Sequence, residues 1–179
     1  MKKRCLLVLL VLLLCAGCGG KNIPVEVWVD YFRTDDIPWD ESRTLTLPEF
    51  PGVIFTWTPG EVTASDGETV KILFTGMPVW NVFVHDLTGD GKPELCATVS
   101  WGSGIVDTHV IVYDYAAGAS YCLSDRGFYD YALIDETRTL QVIKSQTPGI
   151  LREERESSEK GTLSLVPDGD GNFQLAMKT

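Results

Sequence analysis

From residue 25 onward, apolar residues alternate with polar ones more often than they recur at helical spacing, which is the period of a half-buried strand. Leu95, Ala97, Val99 and Trp101 fall on one side of such a strand, and Cys96, Thr98 and Ser100 on the other. Trp80, Val82 and Val84 precede them with the same period, and Val110, Ile111, Val112, Tyr113 and Tyr115 form a β-branched and aromatic run after them. Further strands are predicted over residues 25–29, 45–47, 53–57, 70–74, 129–134, 140–143, 163–166 and 173–177. Pro59-Gly60, Asp66-Gly67, Asp90-Gly91, Ala117-Gly118, Pro148-Gly149 and Asp170-Gly171 punctuate the series. Asp-Gly is a strong hairpin signal because a tight turn needs positive φ at its central residues. The pattern predicts a mainly β fold, an antiparallel meander forming a sandwich or a partial-propeller-like sheet. A full propeller is not expected, since no period of about 40 residues recurs. The segment from Arg152 to Lys160 is rich in charge and reads as a solvated loop or one short helical turn.

The first residues follow another rule. Lys2, Lys3 and Arg4 lead into nine Leu or Val residues from Leu6 to Leu14, then Cys15-Ala16-Gly17-Cys18. A basic start, a short apolar run and small residues make a secretory signal. The run is about half of the ~20 residues that span a bilayer. The small residues ending at Cys18 resemble a bacterial lipobox, although Cys15 stands where Leu is usual. The resemblance implies cleavage before Cys18 and acylation of its thiol. The expected organisation is therefore a signal peptide over residues 1–17, a lipidated Cys18 with a tether to residue 24, and one β-rich extracytoplasmic domain over 25–179. The expected place is the outer face of the cell membrane, held to the lipid bilayer by the acyl chains, each buried CH₂ contributing about 0.8 kcal/mol.

Composition narrows the partners. Fifteen basic against 25 acidic residues give a formal charge of −10 in 179 residues. No nucleic-acid partner is expected, because neutralising phosphates requires clustered Lys and Arg.

One loop carries candidate metal chemistry. Asp86, Thr88, Asp90 and Glu94 place side-chain oxygens at positions 1, 3, 5 and 9, with Gly91 at position 6 and Lys92 at position 7, where a backbone carbonyl can serve. Calcium takes six to eight oxygens, and alternating positions on a tight loop can turn them inward. The spacing resembles the calcium loops of FG-GAP and VCBS repeats, with Thr88 a poorer ligand than Asp and Glu94 longer than the usual Asp. The cofactor this implies is a structural Ca2+. The competing reading is a hairpin whose Asp and Gly serve turn geometry alone.

Other constellations are weaker. His85, Cys96, His109 and Cys122 lack the close pairwise spacing of zinc sites. Cys96 and Cys122 either pair as a disulfide outside the cytoplasm or are buried separately. Ser157 to Lys160 matches S-x-x-K without a following K-T-G. No nucleophile elbow, phosphate loop or dinucleotide fingerprint occurs. Acidic residues are too many for a glycosidase pair to be singled out. Trp39, in a polar stretch, either contacts a partner or packs over the sheet end.

Residues 47–59 and 73–95, with Gly102 to His109, Val112 to Gly118 and Tyr129-Asp130-Tyr131, resemble an extracytoplasmic domain of clostridial-type bacteria. That domain follows the membrane metallopeptidase part of proteins similar to the β-lactam-sensing antirepressor family, and occurs in free-standing lipoproteins. The resemblance implies a sensing or interaction module outside the membrane. It does not carry over β-lactam binding, since the penicillin-recognition motifs are missing here. The expected function is a non-enzymatic module that binds an envelope protein, peptide or glycan. The alternatives are an envelope-polymer hydrolase using an Asp/Glu pair and a purely structural lipoprotein.

Overall fold

The computed structural model describes residues 26–30, 40–102, 107–123, 127–134, 139–145 and 157–179. The leader, Cys18, the tether and Trp39 lie outside the described residues. Every regular element among those described is a strand, and no helix occurs there.

β1 (Glu26–Asp30) belongs to the larger of two sheets. The smaller is an antiparallel meander of β2 (Arg43–Leu45), β3 (Ile54–Thr58), β4 (Glu61–Ser65) and β5 (Val70–Thr75). Its alternation follows the sequence: Phe55, Trp57, Val62 and Ala64 are buried, while Ile54 and Val70 face water. β4 was not among the expected strands, because its inward side chains are only Val62 and Ala64.

The larger sheet continues with β6 (Val79–His85), β7 (Glu94–Trp101), β8 (Asp107–Asp114), β9 (Ala119–Cys122), β10 (Phe128–Ile134), β11 (Thr139–Ser145), β12 (Ser157–Pro167) and β13 (Phe173–Lys178). Its order is β1-β6-β7-β8-β10-β11-β12-β13, with β9 also on β8. β1 runs antiparallel to β6, Glu26 opposite Val84 and Asp30 opposite Asn81. β8 takes β9 in a hairpin along its second half. Near its start it meets β10 in parallel, Thr108 opposite Phe128. That parallel junction interrupts the expected meander.

Two apolar cores result. The first fills the space between the small sheet and one side of β6, β7 and β8, and includes Phe55, Trp57, Phe74, Val82, Leu95, Val99 and Ile111. The second joins Phe83, Cys96, Val110 and Val112 of the same strands to Tyr129, Tyr131, Leu140, Val142, Leu163 and Leu175 of β10 to β13. The same three strands therefore contribute to both cores, and the long sheet must turn back over its own central part. β7 is accordingly buried from Glu94 to Ser100. Each fully buried large apolar side chain contributes about 1.5–3 kcal/mol.

Two local features hold this arrangement. The link from β5 to β6 is bonded to both sheets: Gly76 N–H donates to Gly60 O at 3.0 Å, and Met77 N–H to Ser100 O at 2.9 Å. β12 pairs with β11 up to Gly161 and with β13 from Thr162. A Cβ at Gly161 would lie 2.2 Å from the carbonyl oxygen of Lys178, so only glycine allows the close approach where the strand changes partner.

Ser157 to Lys160, expected as loop or helical turn, forms the start of β12. Pairing with β11 satisfies the backbone, and Glu159 sits opposite Lys144. The charge marks a solvated strand face; the preceding residues of that run lie outside the described residues.

Candidate metal loop

The segment 86–94 joins β6 to β7, and its ends are fixed by the pairing of His85 with Glu94. Glu94 is thus both the last loop residue and the first strand residue. The strand carries it inward, leaving it 2% exposed. Asp86 is half-buried and Asp90 exposed. Carboxylate oxygens of these three residues lie within 4.8 Å of one another.

The loop's own donors hold this geometry. Glu94 Oε2 accepts from Leu87 N–H at 2.5 Å and Thr88 N–H at 3.4 Å, and Oε1 accepts from the Thr88 hydroxyl at 3.0 Å. Asp86 Oδ1 accepts from Gly89 N–H at 2.7 Å, and Oδ2 from Gly91 N–H at 3.0 Å. Asp90 Oδ1 accepts from Lys92 N–H at 2.8 Å. Gly91 has φ +82°, a left-handed conformation that other residues adopt only with strain.

Glu94 is the loop carboxylate whose titration is displaced. Burial pushes the Glu94 carboxyl above its usual range, the Leu87 and Thr88 donors oppose that shift, and the neighbouring Asp86 adds to it. Burial lowers the His85 imidazole, and Asp86 partly offsets this. A cation among Asp86, Asp90 and Glu94 would favour the charged form of Glu94, which burial and, to a lesser degree, the Asp86 charge disfavour.

The structure thus brings Asp86, Asp90 and Glu94 together. It turns Thr88 onto Glu94 as a donor, and uses the backbone N–H of Lys92 to hold Asp90. Oxygen-only donors suit a hard cation such as calcium rather than zinc.

Cys96 and Cys122 are free thiols. Their positions opposite the adjacent residues Val112 and Ile111 point them to opposite sides of β8. Cys96 lies in the second core and Cys122 against the first, so the disulfide left open by the sequence does not form. Burial pushes the Cys96 thiol up to about 12, with a further rise from Glu94. His109 stacks on Trp101, centroids 4.6 Å apart, and shares the side of Val99 rather than that of Cys96.

Sequence reasoning missed a buried polar cluster. Asp130 Oδ1, on β10, accepts from Asn81 Nδ2 at 3.2 Å and the Thr98 hydroxyl at 2.9 Å, joining the folded-back strands to β6 and β7. Asn81, Thr98 and Asp130 are each at most 2% exposed. In sequence each reads as the outward residue of an alternating strand, so no local signal betrays the cluster.

No family model matches this chain, and no curated protein or solved structure matches it either.

Proposed function

We propose that this chain is a lipid-anchored module on the outer face of the membrane, a non-enzymatic binding or sensing domain whose β6–β7 loop is stiffened by calcium. The convergence of Asp86, Asp90 and Glu94 within 4.8 Å carries the metal part of this reading. The basic start, the short Leu/Val run and Cys18 support the anchor. The resemblance of residues 47–59, 73–95 and the segments after them to an extracytoplasmic sensor-associated domain agrees with the anchor and with a binding or sensing role. The metal's role is structural: it offsets most of the charge of three carboxylates gathered at the end of a hairpin and fixes the loop for contact with an envelope protein, peptide or glycan.

The test is thermal unfolding of the full chain in detergent, in about 2 mM calcium and in chelator, for wild type and Asp90→Ala. An affinity of 10⁻⁴ to 10⁻³ M, as in extracellular calcium modules, stabilises by about 0.6–2 kcal/mol at that concentration. The midpoint should rise by roughly 2–7 °C in the wild type and not in the variant. An unchanged wild-type midpoint refutes the metal. For the anchor, wild-type chain should partition with membranes and Cys18→Ala should not. Equal partitioning refutes acylation at Cys18.

A further inference from the structure

Phe55, Trp57, Val62 and Phe74 of the small sheet point into the first core, so alternation places Ile54, Thr56, Thr63, Ser65, Val70 and Ile72 on its other side. Strand pairing sorts these into two rows, Ile54–Ser65–Val70 and Thr56–Thr63–Ile72. Ile54 is 50% exposed, Val70 69% and Ile72 59%. Ser65 and Thr63, on β4, are shorter than the side chains flanking them. β4 therefore floors a shallow groove between Ile54 and the Val70–Ile72 ridge, which stand about 10 Å apart across two strand spacings.

This outer face is apolar and nearly uncharged. In a chain of formal charge −10, the described strand residues pointing outward here carry one charge, Glu61, in the row of Thr58 and Thr75 at the far end. Lys71 belongs to the inner side, where its ammonium stands 5.6 Å over the Tyr115 ring. An exposed apolar patch of this kind marks a contact surface. With no row of charges to meet, it suits a surface of its own chemistry.

The rows are also self-complementary. A half-turn about an axis along β4 sets Val70 of one copy over Ile54 of the second, and Ile54 over Val70. Ser65 and Thr63 then meet their own counterparts, as an isologous interface requires. The same axis keeps both chains entering at one end. The Lys71–Tyr115 contact puts the Ile54–Ser65–Val70 row at the end where Glu26, Val84, Leu95 and Tyr113 pair in series. Two copies so joined therefore present their N-terminal strands to the same side, as two anchors in one bilayer need.

We infer that the outer face of the small sheet is the contact surface for a second copy of this chain, paired face to face about an axis along β4. Four strands of about five residues give a face of roughly 300 Å², well under the ~800 Å² per partner of stable complexes. The pair is weak in free solution. Confinement of both copies to one membrane, which rests on the acylated Cys18 of the proposed function, raises their effective concentration.

The test is cross-linking of a full-length Thr63→Cys chain with a bismaleimide reaching about 10 Å, the spacing of face-packed sheets. It is run in membranes of the expressing cells and on purified chain concentrated in detergent. Wild type gives the background from the native cysteines. Asp170→Cys, in the exposed β12–β13 turn, gives the collision level. A product of twice the chain mass should exceed both controls by about threefold or more. Val70→Lys in the Thr63→Cys chain should cut it by about threefold or more, since it seats an unpaired charge against Ile54. Glu61→Gln should raise it, because the two Glu61 side chains approach each other at the axis. Thermal midpoints check that each variant is folded. Product in concentrated detergent but not in membranes supports the face and overturns only its dependence on the anchor. No product above the controls in either medium, a yield unchanged by a folded Val70→Lys or lowered by Glu61→Gln, or a product whose mass shows a different protein would overturn the assignment.

Discussion

Two connections in this fold look alike in sequence and differ in electrostatics. The β4–β5 turn and the β6–β7 loop each join antiparallel strands and each contain Asp-Gly. In the β4–β5 turn one of two exposed carboxylates, Asp66, accepts N–H groups from Glu68 at 3.0 Å and Thr69 at 2.8 Å. Those donors, Thr69 first, hold its carboxyl below the usual range. In the β6–β7 loop the carboxylates also accept backbone N–H groups, yet Glu94 moves the other way, because burial outweighs its donors and Asp86 adds like charge. The turn is complete with its own donors. The loop gathers three carboxylates, one of them buried, and that convergence, rather than net charge, distinguishes a candidate metal loop from a turn.

The largest test of this contrast is Glu94→Ala. It strands Leu87 N–H, Thr88 N–H and the Thr88 hydroxyl in a half-buried place and should cost about 2–4 kcal/mol by denaturant titration. A loss below about 0.5 kcal/mol would show that the carboxylate does not organise the loop.

Glu94→Gln separates shape from charge. In chelator it should be neutral or stabilising, since it removes a buried negative charge beside Asp86. In calcium it should lose the rise in melting midpoint seen for the wild type. A calcium response kept in this variant would place the ion elsewhere.

The pH dependence gives a smaller, signed effect. Glu94's folded value lies above its ordinary 4.5. In metal-free protein its contribution is therefore fully present below about 4.5 and is lost as pH rises through the folded value. Calcium competes for the same oxygens, so its affinity should climb over that window. Calcium titrations at pH 4.5 and 7 check this, and equal affinities would exclude Glu94 from the site.

Asp66→Ala should have the smallest effect, a slight loss of stability that is the same with calcium and with chelator. Asp66's contribution is present above its ordinary 3.8 and is lost as pH falls through its lowered folded value. A calcium-dependent change in Asp66→Ala would erase the distinction between the two connections.

Much of this was legible in the sequence where the signal is local. Alternation located β3, β7 and β8, and Asp-Gly pairs located the turns. The spacing of Asp86, Asp90 and Glu94 was enough to bring their oxygens together. What stayed hidden depends on residues far apart in the chain. The parallel contact between Thr108 and Phe128 has no local signature, and without it the return of β10 to β13 over the central strands cannot be drawn. The Asn81–Thr98–Asp130 cluster depends on that return.

The pairing of β1 has one consequence for where the molecule's chemistry sits. Glu26 lies opposite Val84, two residues before Asp86, so chain arriving from the N-terminus enters at the same end of the sheet as the β6–β7 loop. The eight residues from Cys18 to Glu26 reach at most about 28 Å when fully extended. An acylated Cys18 would therefore keep the loop close to the headgroups rather than out in the medium. Anionic headgroups draw cations into a layer roughly a Debye length, about 8–10 Å, deep, so the ion concentration the loop meets would depend on how far the tether extends.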